Sequence, residues 1–152
     1  WDDCQRYIEN INKLGSGTFR LPTEAEWEYA CRAGTTYEFY FGDDAEQLND
    51  YGWHFYNSDY HTHPVKQKKP NAWGLYDTHG NVWEWCQDWY DANYYQNSPT
   101  LDPTGPATGS YKVLRGGTCL RTAARCRSAF RSWNAPDLTM PDQGLRICRN
   151  PD

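Results

Sequence analysis

The chain has 152 residues, with 15 Lys plus Arg against 20 Asp plus Glu and a formal net charge of −5. That is one domain's length with no basic face, and no apolar run approaches the roughly 20 residues of a membrane helix. Nucleic acid and anionic membrane are therefore not expected as partners, and no membrane span is expected within these residues.

Leu, Ile, Val and Phe together number only 20, yet 16% of the chain is aromatic, with eight Trp and twelve Tyr. The core is expected to be built from rings, whose N–H and O–H groups then need hydrogen-bond partners. Six cysteines show no CxxC pair and no Cys/His zinc spacing, so they do not reveal the compartment. Trp1 opens the sequence where a Met would begin a translated chain, so upstream sequence is expected to precede it.

In Asp2 to Leu14, apolar Cys4, Tyr7, Ile8, Ile11 and Leu14 recur at three- and four-residue steps. This predicts an amphipathic helix, capped by Asp2 or Asp3 and stopped at Gly15. A second helix is predicted from Pro22 to Gly34, with Thr23 and Glu26 as a capping box and Trp27, Ala30 and Cys31 as its apolar stripe. Residues 35 to 72 follow no period and read as a long irregular loop with short strand pieces near Tyr37 to Phe41.

Trp83 to Trp89 alternates large apolar side chains with Glu84 and Asp88, the signature of a half-buried strand. Val113 to Arg115 and Leu145 to Cys148 are further short strands. Ser98 to Gly109 and the Pro-punctuated stretch Ser132 to Gln143 read as turns and loop. No repeat or linker divides the chain.

No phosphate loop or nucleophile elbow is present. His61 and His63 lie in a Lys-rich polar loop and are expected to be solvated. Arg115, Arg121, Arg125, Arg127, Arg131 and Arg146 crowd the last quarter. They suit either an anion site or internal hydrogen bonding to carbonyls and carboxylates. In Asp77-Thr78-His79-Gly80-Asn81-Val82-Trp83-Glu84, two carboxylates bracket a turn whose Gly80 lets carbonyls point inward, an oxygen mixture that suits a hard cation or a hairpin turn alike.

Arg20 to Gly34, Gly74 to Asp77 running into Gly80 to Trp85, Leu114 to Gly117, Arg127 to Arg131 and Gly144 to Arg146 occur in the order of one family, with the segment before Arg127 shorter than in that family's oxidases. The chain resembles the sulfatase-modifying-factor, or formylglycine-generating-enzyme, family over nearly its whole length. The resemblance implies an α+β fold of C-type lectin-like kind, with two helices, a small antiparallel sheet and extensive irregular loops. It also implies that the family's first strands lie outside this single domain of residues 1–152. In the catalytic relatives the residues matching Asp77, Gly80, Val82 and Glu84 bind calcium, so a structural Ca²⁺ is expected there.

The enzymes of this family oxidise a substrate cysteine to formylglycine, using copper held by two cysteines about five residues apart, thiolates suited to soft Cu(I). Here Cys126 matches the second, but Arg121 occupies the place of the first, and the nearest thiol, Cys119, lies seven residues from Cys126. The pair is not at the right spacing, so copper and catalysis are not expected.

Within that family's non-catalytic branches, the chain resembles the variable proteins of diversity-generating retroelements from bacteria or phage. Their framework is matched by Leu114 to Gly117, Cys126 to Ala129, Pro136-Asp137 and Gly144 to Arg146. Between these pieces, Cys119, Leu120, Arg121, Thr122, Ser132, Trp133, Asn134, Ala135, Leu138, Thr139, Met140 and Gln143 are the candidate ligand-binding residues. Diversified Asn codons reach most of those residue types, although Trp133, Met140 and Gln143 need other codons.

Exposed Trp133, Leu138 and Met140 amid small polar residues suit a binding surface; an ordinary loop with Trp133 in the core is the plainer alternative. A protein ligand is expected, with carbohydrate as the second choice, and a receptor-type binder would work at the cell surface or outside it. The alternatives are a sulfatase-modifying oxidase and an accessory domain of a larger enzyme or kinase.

Overall fold

The structure, a computed structural model, describes residues 1–150. Helix α1, Asp2–Lys13, is stopped by Gly15 with φ +72°. Neither Asp2 nor Asp3 caps it; the N-cap is Trp1, without a side-chain bond. The helix start is anchored from outside, because the Trp1 ammonium and the Asp2 N–H both donate to the Pro136 carbonyl, at 2.9 and 3.2 Å. Both carboxylates stay in the first turn, where the helix dipole favours them.

A two-residue strand β1, Phe19–Arg20, precedes helix α2, Glu24–Arg32, whose Thr23–Glu26 capping box forms as predicted. In the loop beyond, the expected strand pieces reduce to one isolated bridge between Phe39 and Gly42. Ala45–Gln47 winds as a 3₁₀ turn into a one-turn helix α3, Leu48–Tyr51. A single turn is too short to carry a period, and it is held by Leu48, which packs with Phe39 and Cys126.

Strands β2 (Trp83–Trp89), β3 (Lys112–Arg115), β4 (Ser132–Asn134) and β5 (Gln143–Leu145) form one sheet in the order β4-β3-β2-β5. The expected antiparallel sheet is in fact mixed, since β5 runs parallel to β2. Strand β4 lies in a stretch read as loop. It is an edge strand, so one neighbour and no alternating core face define it. The expected strand Leu145 to Cys148 is split: β5 pairs with β2, while β6, Cys148–Arg149, pairs with β1.

The sheet is covered on both faces. Trp83, Trp85 and Leu114 pack with Ile8 of α1 and Leu21, whereas Cys86 and Val113 pack with Trp27 and Cys31 of α2. Alternate residues of β2 point to opposite faces, so the polar side of β2 lies under α2. Glu84 and Asp88 are buried there. Among the described residues no helix is long and apolar enough to cross a membrane.

Candidate functional site

Between α2, β3 and the residues leading into β4 lies a buried ion network. Arg115 of β3, fully buried, donates to Glu24 Oε1 at 2.9 Å and also to Glu28 of α2 and to the Ser128 carbonyl. Glu24 in turn accepts two bonds from Arg131, at 2.7 and 2.8 Å, and the Arg131 guanidinium packs between the rings of Tyr90 and Tyr95. Four of the six arginines singled out in the sequence, Arg115, Arg127, Arg131 and Arg146, are thus bound internally to carboxylates. Arg121 and Arg125 remain exposed.

After β3 the chain turns through Gly116 and Gly117, both with positive φ. A Cβ on Gly117 would fall 2.5 Å from Cys126 Sγ and 2.9 Å from the Arg125 carbonyl. Thr118 closes the turn, its hydroxyl accepting from the Leu120 N–H at 2.9 Å and its carbonyl from the Arg121 N–H at 3.0 Å. Leu120, Arg121 and Thr122 face solvent, but Cys119 does not. Cys119 is 1% exposed; its N–H donates to the Asn81 carbonyl and its own carbonyl accepts from the Ser58 hydroxyl at 2.7 Å. As the buried anchor of the turn, it leaves the candidate ligand-binding set.

On β4, Trp133 stands opposite Val113 with 46% of its surface exposed, its ring 4.5 Å from Tyr111 and 5.9 Å from Tyr90. Ser132, Asn134 and Ala135 are half-buried. Leu138 and Met140 are exposed; with Thr139 and the half-buried Gln143 they border a cleft of about 80 Å³ against Trp1 and Trp85.

The candidate residues form two areas. Residues 119–122 and the end of the 138–143 loop both abut the start of β2, through Cys119 N–H to Asn81 O and Trp83 N–H to Asp142 O. Trp133 and Asn134 register with Val113 and Lys112, toward the other end of β3.

In the candidate metal loop, Asp77, Val82 and Glu84 line one cavity of about 400 Å³, together with Asn81 and Arg146. Gly80 is not among its lining residues. The Gly80 N–H donates to Gly116 O at 2.7 Å, and a Cβ there would fall 2.1 Å from Trp53 O. Asp77 Oδ2 accepts from the Lys66 N–H at 2.8 Å, while its buried Oδ1 has no hydrogen-bond partner. Such an oxygen is costly unless something meets it.

Glu84 accepts from Trp27 Nε1 and Arg146 Nε on Oε2, and from a second Arg146 nitrogen on Oε1 at 2.7 Å. Oε1 thereby keeps acceptor capacity. Asp77 and Glu84 line the same cavity, so the partnerless oxygen of one and the spare acceptor capacity of the other are the side-chain donors a hard cation would use there. Among the described residues, no three His, Cys, Asp or Glu side chains are grouped to hold a metal by themselves, so backbone or water oxygens would complete any shell.

Cys126 is fully buried, and burial pushes its thiol up to about 12. Its carbonyl accepts from His79 Nδ1 at 2.7 Å, and the Tyr40 N–H meets Nε2 of the same ring at 3.1 Å. Burial lowers His79 to about 3, which keeps this bridge neutral.

Fold and site together define an α+β domain of the formylglycine-generating-enzyme type with C-type lectin-like architecture. The sulfatase-modifying factor enzyme 1-like domain matches residues 1–151, and the chain belongs to that family. It is 41% identical to the formylglycine-generating enzyme of Streptomyces coelicolor over the whole chain, which spans 51% of that protein. Among solved structures it is similar to Treponema denticola variable protein 1, with a TM-score of 0.83 and 44% identity, covering 88% of this chain and 49% of that one. PvdO from Pseudomonas aeruginosa superposes with a TM-score of 0.88 at 28% identity, over 98% of this chain and 59% of its own. The chain thus spans about half the length of these relatives.

Proposed function

We propose that the chain is a non-enzymatic binding domain, of the kind found in diversity-generating retroelement variable proteins. Its framework is the buried ion network, and its ligand surface is Leu120 to Thr122 with Ser132 to Ala135 and Leu138 to Gln143. The observation that carries this reading is the exposure of Leu120, Trp133, Leu138 and Met140, at 38, 46, 43 and 43%, in a chain whose neighbouring framework residues Arg115, Gly117 and Cys119 are buried. Apolar anchors held outside a rigid core are how a recognition surface is built. The likeness to Treponema denticola variable protein 1 supports the same branch. A protein ligand suits these anchors better than a sugar.

Panning a peptide-phage library on the immobilised chain tests the reading. Enriched peptides that lose binding to Trp133→Ala or Leu138→Ser support it, and enrichment of none contradicts it. A structural Ca²⁺ at Asp77, Gly80, Val82 and Glu84, two through side chains and two through carbonyls, belongs to the same proposal.

The oxidase reading is favoured by one observation, the identity to the Streptomyces enzyme, and it needs Cys126 as a copper thiolate. Incubation with Cu(I) and a cysteine-containing sulfatase peptide, read for aldehyde by mass spectrometry, decides it. The expected result is no product; aldehyde that disappears in Cys126→Ser would replace the binding reading.

A further inference from the structure

Residues 55–60, outside the ligand surface named above, are tied to it by two hydrogen bonds. The Phe55 N–H donates to Arg121 O at 2.9 Å, and the Ser58 hydroxyl donates to Cys119 O at 2.7 Å. Tyr56 and Tyr60 are exposed by 76% and 64%, among the most exposed large side chains of the protein. Both rings stand nearly perpendicular to Phe55, at 89° and 82°, with centroids 5.2 and 5.1 Å away. The loop therefore fixes three rings edge to face beside exposed Leu120.

The charge at this corner is opposite to that of the whole. The chain carries −5, yet Arg121 and Arg125 are exposed. Among the described residues neither joins an ion pair. Arg125 lies over the Phe130 ring, which leaves its charge without a carboxylate. Against these two cations, residues 55–60 hold a single carboxylate, Asp59.

We propose that Phe55, Tyr56 and Tyr60 join Leu120, Arg121 and Arg125 in one docking surface for an acidic, aromatic-bearing segment of a partner protein. This rests on the binding-domain reading and adds a fixed half to its diversified surface. Perpendicular rings offer notches for a protruding side chain and no shared flat platform for a pyranose face. Unpaired guanidinium groups add carboxylate recognition and faster association with an acidic partner.

The test uses a fluorescent random copolymer of Glu and Tyr, with poly-Glu, a Lys–Tyr copolymer and dextran sulfate as comparators, read by anisotropy with the full chain. Preferential binding of the Glu–Tyr copolymer, weakened about tenfold or more by Tyr56→Ala and by Arg125→Glu, supports the proposal. Unchanged melting of both variants secures the comparison. Equal binding of dextran sulfate that ignores Tyr56→Ala overturns it in favour of a generic anion patch, and absence of copolymer binding overturns it outright. If panned peptides depend on Trp133 but not on Tyr56 or Arg125, this inference fails while the binding-domain reading stands. If panning enriches nothing, the reading beneath it fails.

Discussion

Gly117 shows how little room the display turn leaves. With φ +78° and Cys126 Sγ 2.5 Å from where a Cβ would sit, Gly117→Ala is expected to destabilise by about 2 kcal/mol or more in a urea melt. At Leu120 and Leu138, exposed by 38% and 43%, Leu120→Asn and Leu138→Ser should each cost under roughly 0.5 kcal/mol. A larger loss would place those side chains in the core.

Asp88 carries a pH dependence with a definite sign. Burial, assisted by the Glu24 carboxylate, pushes it up to about 6 even though the Glu24 N–H donates to it at 2.8 Å. The native state therefore holds the proton more tightly than the unfolded chain, where an aspartate titrates near 4. Its contribution is fully present below that value and is lost as pH rises through about 6. Stability measured at pH 5 and pH 7.5 should fall across the interval more in the wild type than in Asp88→Asn; equal slopes would contradict this assignment.

Between elements, the network of Arg115, Glu24, Glu28 and Arg131 joins β3, α2 and the segment leading into β4. Removing Arg115 leaves the buried Glu24 carboxylate with Arg131 as its one remaining cation, so Arg115→Ala is expected to cost about 3–5 kcal/mol. The exposed Arg125→Ala should stay within about 0.5 kcal/mol.

The sequence announced α2 through its capping box and apolar stripe, and β2 through its alternation, because those signals are local. It missed β4, since an edge strand of Ser, Trp and Asn has only its pairing to β3 to define it. It marked β2 as only half-buried, whereas Glu84 and Asp88 on its polar side are buried too, because the cover supplied by α2 comes from 64 residues away at the Glu24–Asp88 contact. Cys119 read as displayed for a related reason: its hydrogen bonds to Asn81 and Ser58 are tertiary and leave no mark in its neighbours.

At the scale of the whole molecule, the metal loop and the display turn share one support. Gly80 N–H bonds to Gly116 O, and Asn81 O receives the Cys119 N–H. A cation bound at Asp77 and Glu84 would therefore stabilise the fold and hold the turn behind the ligand surface. Ligand binding to the native state adds RT ln(1 + [L]/Kd), so EDTA should lower the melting temperature and Asp77→Ala should remove that sensitivity. An EDTA-insensitive melt would rule the ion out.

The central claim, a fixed framework displaying a replaceable surface, is tested most directly by measuring the folded fraction of a randomised library. Leu120, Arg121, Thr122, Trp133, Leu138, Thr139 and Met140 would be varied together, with protease resistance as the readout. Most members are predicted to stay as resistant as the parent, while a library varied at Glu24, Arg115, Gly117 and Cys119 collapses. Equal collapse of both libraries would contradict the account.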